Sequence, residues 1–154
     1  MQRYIKMRTK QNNSHFFLYY SRFAVPLHPQ NVIRMKDICC IGHVTKDKIV
    51  TPSSTVYMAG GTSFYFAYAI NQLPKDVSFS LITAMDSTEK EPVEKMLKAG
   101  IDVTLNPSRN TVFFENIYGD NPNDRKQRVL AKADPFTILQ LEHVEAKVFH
   151  LGSL

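Results

Sequence analysis

The chain has no tryptophan, only six glycines and only two cysteines. The cysteines, Cys39 and Cys40, are neighbours in an apolar run, so they read as buried strand residues. That excludes a disulfide framework and fits a reducing, cytoplasmic setting. No apolar run approaches the ~20 residues that a membrane-spanning helix needs, so no membrane partner is expected. The five histidines (His15, His28, His43, His143 and His150) lack the spacing of metal ligands, and no metal site is expected within the chain. Acidic residues are missing from the first 36 positions, which hold seven Lys and Arg. The rest carries 12 basic and 14 acidic residues, so the net charge of +5 belongs to the first segment alone. With the remainder slightly acidic, no nucleic-acid partner is expected.

What is present suits one folded domain. The 154 residues are 44% hydrophobic and 21% charged, enough to bury a real core. Residues 1–34 are the exception. They have no clear period, a polar patch at Gln11–Ser14, an aromatic patch from His15 to Tyr20, and breaks at Pro26 and Pro29. A secretory signal needs a longer apolar stretch and a small-residue cleavage site, and both are missing. A transit peptide is acid-poor and Arg-rich, as this segment is, but the amphipathic pattern is weak. Seven scattered charges make no cluster for nucleic acid. Residues 1–34 therefore read as a disordered or non-native extension, dispensable for stability. Met35, just ahead of an ordinary first strand, is an alternative start to Met1.

From there strands and helices alternate. Asp37–Gly42 is a short apolar strand closed by glycine, and polar residues follow it. Among these, Asp47 is the best ligand candidate, because a carboxylate accepts two hydroxyl hydrogen bonds; the plain alternative is a solvated turn residue. Thr55–Met58 leads into Gly60-Gly61, then Thr62-Ser63, then an uncharged run to Leu73. Paired glycines admit close approach to the backbone. Thr62 or Ser63 is expected to cap a buried helix whose free N–H groups face a ligand. A strand at Val77–Thr83 is followed by Thr88-Glu89-Lys90-Glu91, read as a capping box opening a helix with Val93, Met96 and Leu97 inward and Gly100 past its end. Thr111–Tyr118 and Arg125–Lys132 flank a turn-rich loop and read as a hairpin. Thr137 caps a short helix, and Val148–Gly152 is one more strand, expected to expose apolar surface. The alternation implies a parallel sheet with helices on its faces.

The order of these pieces resembles the PfkB carbohydrate kinase family, the ribokinase-like sugar and nucleoside kinases, over residues 35–154. The first strand with Gly42 and Asp47, the Gly60-Gly61 pair before a helix, Ala84-Met85-Asp86, Ala99-Gly100-Ile101-Asp102, the strand pair beginning at Thr111 and His150-Leu151-Gly152 carry the resemblance. It implies an α/β fold: a mostly parallel sheet flanked by helices, with a small β-lid near 44–58 and 111–132 and the C-terminal half of the domain absent. It also implies substrate-binding roles for Asp47, Gly60, Gly61, Thr45 and Tyr65. Thr45 stands where the family carries asparagine or a small polar residue, and Tyr65 where it carries an amide. That departure points to a substrate other than ribose, or to a pocket that stacks an aromatic ring on a sugar face. No D-x-x-G-A-G-D-like sequence occurs in the 154 residues. The resemblance thus puts the catalytic residues and the ATP and Mg2+ site past Leu154, and no catalytic residue is assigned in this chain.

Two functions follow. The first is ATP-dependent phosphorylation of a sugar or nucleoside hydroxyl, with this chain as the substrate-binding half and by itself inactive. The alternative is a non-catalytic sugar-binding or dimerisation module, because an exposed lid-strand edge can pair two copies into a homodimer.

Overall fold

The structure is a computed structural model that describes residues 17–20, 23–26, 35–74, 76–121 and 123–152. The chain divides into two compact units, Met1–Arg34 and Met35–Leu154. Most of the first unit, and with it most of the expected extension, lies outside the described residues. Its described part is a pair of antiparallel strands, β1 (Phe17–Tyr20) and β2 (Phe23–Pro26).

The second unit holds two four-stranded sheets. The first contains β3 (Lys36–Ile41), β6 (Phe79–Met85), β7 (Val103–Pro107) and β10 (Ala146–Leu151), all parallel, in the order β10-β3-β6-β7. Strands buried on both faces need apolar side chains on both, and β3 and β6 supply them. Cys39 and Cys40 point to opposite faces of β3 and are both fully buried, as are Leu81 and Met85 of β6. Both thiols are free, and burial pushes both up from the ordinary cysteine range. Edge strand β10 leaves Val148, Phe149 and Leu151 exposed, as expected from the sequence.

The second sheet contains β4 (Thr45–Val50), β5 (Thr55–Gly60), β8 (Val112–Tyr118) and β9 (Arg125–Ala131), in the order β5-β4-β8-β9. Only its central pair, β4 and β8, is parallel. The β8–β9 hairpin carries an irregularity in register at Phe113/Phe114.

Helices α1 (Thr62–Ile70) and α2 (Glu91–Lys98) add Ala67, Val93 and Met96 to a core with Cys40, Val44, Leu81, Met85 and Ile101. In α2 the acids Glu91 and Glu94 lie in the first turn and Lys95 and Lys98 in the last, which suits the helix dipole. Gly100, at φ +85°, ends α2 as read from the sequence. The amide of Ile101 donates to the Met96 carbonyl and that of Gly100 to Leu97, each at 3.0 Å, closing the last turn. A further four-residue helix, α3 (Ile138–Leu141), starts at Thr137, whose amide donates to the Gln140 side chain at 2.8 Å.

Three local readings need correction. Gly61, not Thr62 or Ser63, takes the N-cap position of α1, and those two residues form its first turn. Helix α1 buries Ser63 and Ala67 but leaves Tyr65 55% exposed, because a run that is apolar all round carries no information about which face packs. The box at Thr88–Glu91 does not form. Asp86 instead accepts from the Thr88 amide at 2.8 Å and caps a helical turn at Ser87–Glu89, while Leu97 of α2 stays half exposed.

Candidate substrate site

The site begins at the carboxyl ends of the parallel strands, where open α/β sheets bind ligands. There Gly42 follows β3 and Gly152 follows β10, joined by the Gly152 amide donating to the Ile41 carbonyl at 2.9 Å. The hydroxyl of Ser63 is wedged between them. A Cβ on either glycine would stand 2.1 Å from Ser63 Oγ, so both positions must be bare for α1 to start here.

The chain then passes His43 and Val44, whose amide donates to Thr83 Oγ1 at 2.9 Å, and enters β4. Asp47 is therefore a strand residue, not a turn residue, which fixes where its carboxylate points. Alternation along β4 puts Thr45, Asp47 and Ile49 on one face and Lys46 and Lys48 on the other. Thr45 pairs with Gly60 of β5 and Val112 of β8, and Asp47 pairs with Met58 and Phe114. The Thr45 hydroxyl donates to Asp47 Oδ1 at 2.8 Å. The other carboxylate oxygen, Oδ2, lies over Gly60, 2.5 Å from where a Cβ would be. Gly61, at φ +93°, packs under the His43 carbonyl and Thr45, which leave no room for a side chain there. Four of the five residues singled out in the sequence thus form one cluster: Thr45, Asp47, Gly60 and Gly61. Tyr65 is on α1, 55% exposed, with its ring edge-on to Phe64 at 5.3 Å between centroids.

Three groups near this cluster were not singled out. His43 is 4% exposed, with its ring 4.8 Å from that of Phe136. It lines a pocket of about 330 Å³ whose other walls include Val112, Phe114, Val129, Lys132 and Pro135. Burial pushes the His43 imidazole below its ordinary value of 6.5, and the nearby Asp134 backbone offsets part of this without reaching hydrogen-bonding geometry. Asn116, on the Asp47 face of the sheet and buried, accepts from Gln127 Nε2 at 2.9 Å. Asp134 anchors the segment over the pocket: its carboxylate accepts from Arg109 Nε at 2.9 Å and Nη2 at 2.6 Å, and from the Arg109 amide at 2.9 Å. The Arg109 guanidinium holds the Asp134 carboxyl below the ordinary carboxylate range. The one sequence signal for His43 was the period of two in His43, Thr45 and Asp47.

The far face of this sheet is held by charge. Glu115 pairs with Lys48 at 2.9 Å and with Arg128 at 2.6 Å, and Lys48 first, then Arg128, lowers its pKa against the effect of burial. Lys46 pairs with Glu89 and lies 5.2 Å above the Phe113 ring. Among the described residues no three His, Cys, Asp or Glu side chains converge as metal ligands, and no helix is long and apolar enough to cross a membrane.

No protein-family model and no curated protein matches the chain. Solved structures do. A pyrophosphate-dependent kinase in the ribokinase family, complexed with a pyrophosphate analog and myo-inositol, is 27% identical with a TM-score of 0.62 over 75% of this chain and 39% of that one. A structure described as the conversion of a pyrophosphate-dependent myo-inositol-1 kinase into a myo-inositol-3 kinase has a TM-score of 0.64 at 24% identity, over 75% and 38% of the two chains. A Burkholderia thailandensis nucleoside kinase in complex with inosine has a TM-score of 0.50 at 17% identity, over 60% and 36%. The chain therefore spans about 40% of the length of the structures it matches. The part they share is a ribokinase-like fold with a mostly parallel sheet.

Proposed function

We propose, from a chain that carries this part of the ribokinase-like fold, that residues 35–154 form the acceptor-binding part of a kinase for a hydroxyl of a sugar, nucleoside or cyclitol. In this reading β4–β5 and β8–β9 are its lid strands. The observation that carries it is the Asp47 carboxylate, oriented by Thr45 and set over the bare backbone of Gly60. Phosphoryl transfer depends on positioning and on stabilising the transferred group. This cluster serves the first need. Asp47 accepts from hydroxyls, and Gly60 and Gly61 let a ring lie against the backbone.

The phosphoryl donor is ATP with Mg2+ or, as in the pyrophosphate-dependent neighbours, pyrophosphate. The described residues offer no ligand set for a metal, so no step is assigned to one here. Turnover by this chain alone is expected at background, and the setting is cytoplasmic, which the two free buried thiols favour. Titration calorimetry of the chain with myo-inositol, D-ribose and inosine tests the reading. Saturable binding of one of them supports it, and heat no greater than dilution for all three overturns it.

A second reading is dimerisation through the lid edges. Val56, Tyr57 and Met58 on β5 and Val129 and Leu130 on β9 are 42–58% exposed on strands with one free side each. Sedimentation at rising concentration separates this reading from a monomeric binding module.

A further inference from the structure

We infer that His43 is a specificity-determining residue of this site, hydrogen-bonding one hydroxyl of a neutral polyol ring whose other hydroxyls reach Asp47. The inference rests on the acceptor-binding reading above and deepens it.

Two observations combine. Among the described residues neither ring nitrogen of His43 has a hydrogen-bond partner, the Asp134 backbone lying close without reaching that geometry, although buried polar atoms are normally paired. The ring also forms part of the wall of an open pocket. A neutral imidazole offers one N–H donor and one bare acceptor nitrogen, and a hydroxyl can answer either. The pocket lies beside Asp47 on the sheet, since its wall residues Val112 and Phe114 are the β8 partners of Thr45 and Asp47. Of its remaining walls, Val129, Ala133 and Pro135 are apolar and suit the C–H face of a ring, and Lys132 is charged. Phe136, its ring tilted against His43, and the Arg109–Asp134 clamp hold the covering segment in place.

The charged groups near the ring are few. Lys132 lines the pocket, the Asp134 carboxylate is taken by Arg109, and Asp47 stands further along the same strand face; β8 and β9 present only apolar walls. Protonation would remove the acceptor nitrogen and leave a charge in the pocket. Because the folded pKa lies below 6.5, the ligand-competent neutral ring predominates near neutrality. Affinity should fall as pH drops through that lowered pKa and stay level above it.

The test is calorimetric titration of myo-inositol, D-ribose and inosine from about pH 5 to 8. It compares the wild-type chain with His43→Gln, which keeps a donor and an acceptor, His43→Phe, which fills the space without either, and Asp47→Asn. Thermal melts confirm that each variant is folded. The expected result is about tenfold or greater loss in His43→Phe, retention within a few fold in His43→Gln, and loss of the acid-side fall in affinity in both. If wild type binds and Asp47→Asn weakens binding while His43→Phe does not, His43 is a structural residue and this inference alone is overturned. Equal loss in Gln and Phe variants that are both folded also overturns it. If wild type binds none of the three, both readings fall.

Discussion

The two sheets of the second unit are stabilised in different ways. The parallel sheet is held by apolar burial: Cys39, Cys40, Leu81 and Met85 are at most 1% exposed, and helices pack on it. The β5-β4-β8-β9 sheet has little such core. Its outer face is tied by Lys48, Glu115 and Arg128, its edges expose Val56, Tyr57 and Met58, and its inner face carries Asp47, Asn116 and the His43 pocket. On the proposed reading, one sheet provides stability and the other recognition. Substitutions should therefore separate the two properties by sheet.

The largest effect is expected from Leu81→Ala. Removing a fully buried side chain from the central parallel strand should cost about 2–5 kcal/mol in urea unfolding, with affinity per folded molecule unchanged. A cost below about 1 kcal/mol would show that the core lies elsewhere.

Asp47→Ala should do the reverse. Affinity for the bound polyol should drop roughly a hundredfold while the melting temperature holds within a degree or two. Unchanged affinity would remove Asp47 from the site.

The adjacent glycines divide the same way. Gly61→Ala forces a side chain into a φ of +93° and against the His43 carbonyl, and should destabilise by about 1–3 kcal/mol. Gly60→Ala meets only the movable Asp47 carboxylate. It should leave stability nearly intact and weaken binding by about tenfold. Equal stability losses in the two variants would contradict the placement of Asp47 over Gly60.

Acid should produce the smallest difference. The Glu115 carboxyl is held below 4.5 by Lys48 and Arg128, so its contribution is present above that pH and is lost as pH falls through the lowered value. Asp37, at the start of the parallel sheet, is pulled much further down by Lys147 and Ser78 and keeps its charge longer. Amide exchange should therefore rise in β8 and β9 before β6 on acidification. The opposite order would mean that the ion triad does not hold the lid.

The sequence by itself determined the order of elements, the parallel sheet and the hairpin, because each depends on local propensity or on residues close in the chain; the grouping of Thr45, Asp47, Gly60 and Gly61 was implied by the family resemblance, and the register of β4 on β5 brings them together. A period of two and a glycine pair are written in neighbouring positions. The capping of the turn after β6 by Asp86 is also local, yet the sequence leaves it open, because Thr88 and Asp86 both offer an oxygen at suitable spacing and only the backbone geometry decides between them. Tertiary structure alone decided which side of the uniformly apolar α1 is buried: Ser63 and Ala67 face inward while Tyr65 stays 55% exposed. It also decided that Phe136 packs against His43 and Arg109 clamps Asp134, pairs that are 93 and 25 residues apart. Such pairings depend on where the β8–β9 hairpin returns the chain, and strand register is set by long-range packing that no local pattern encodes.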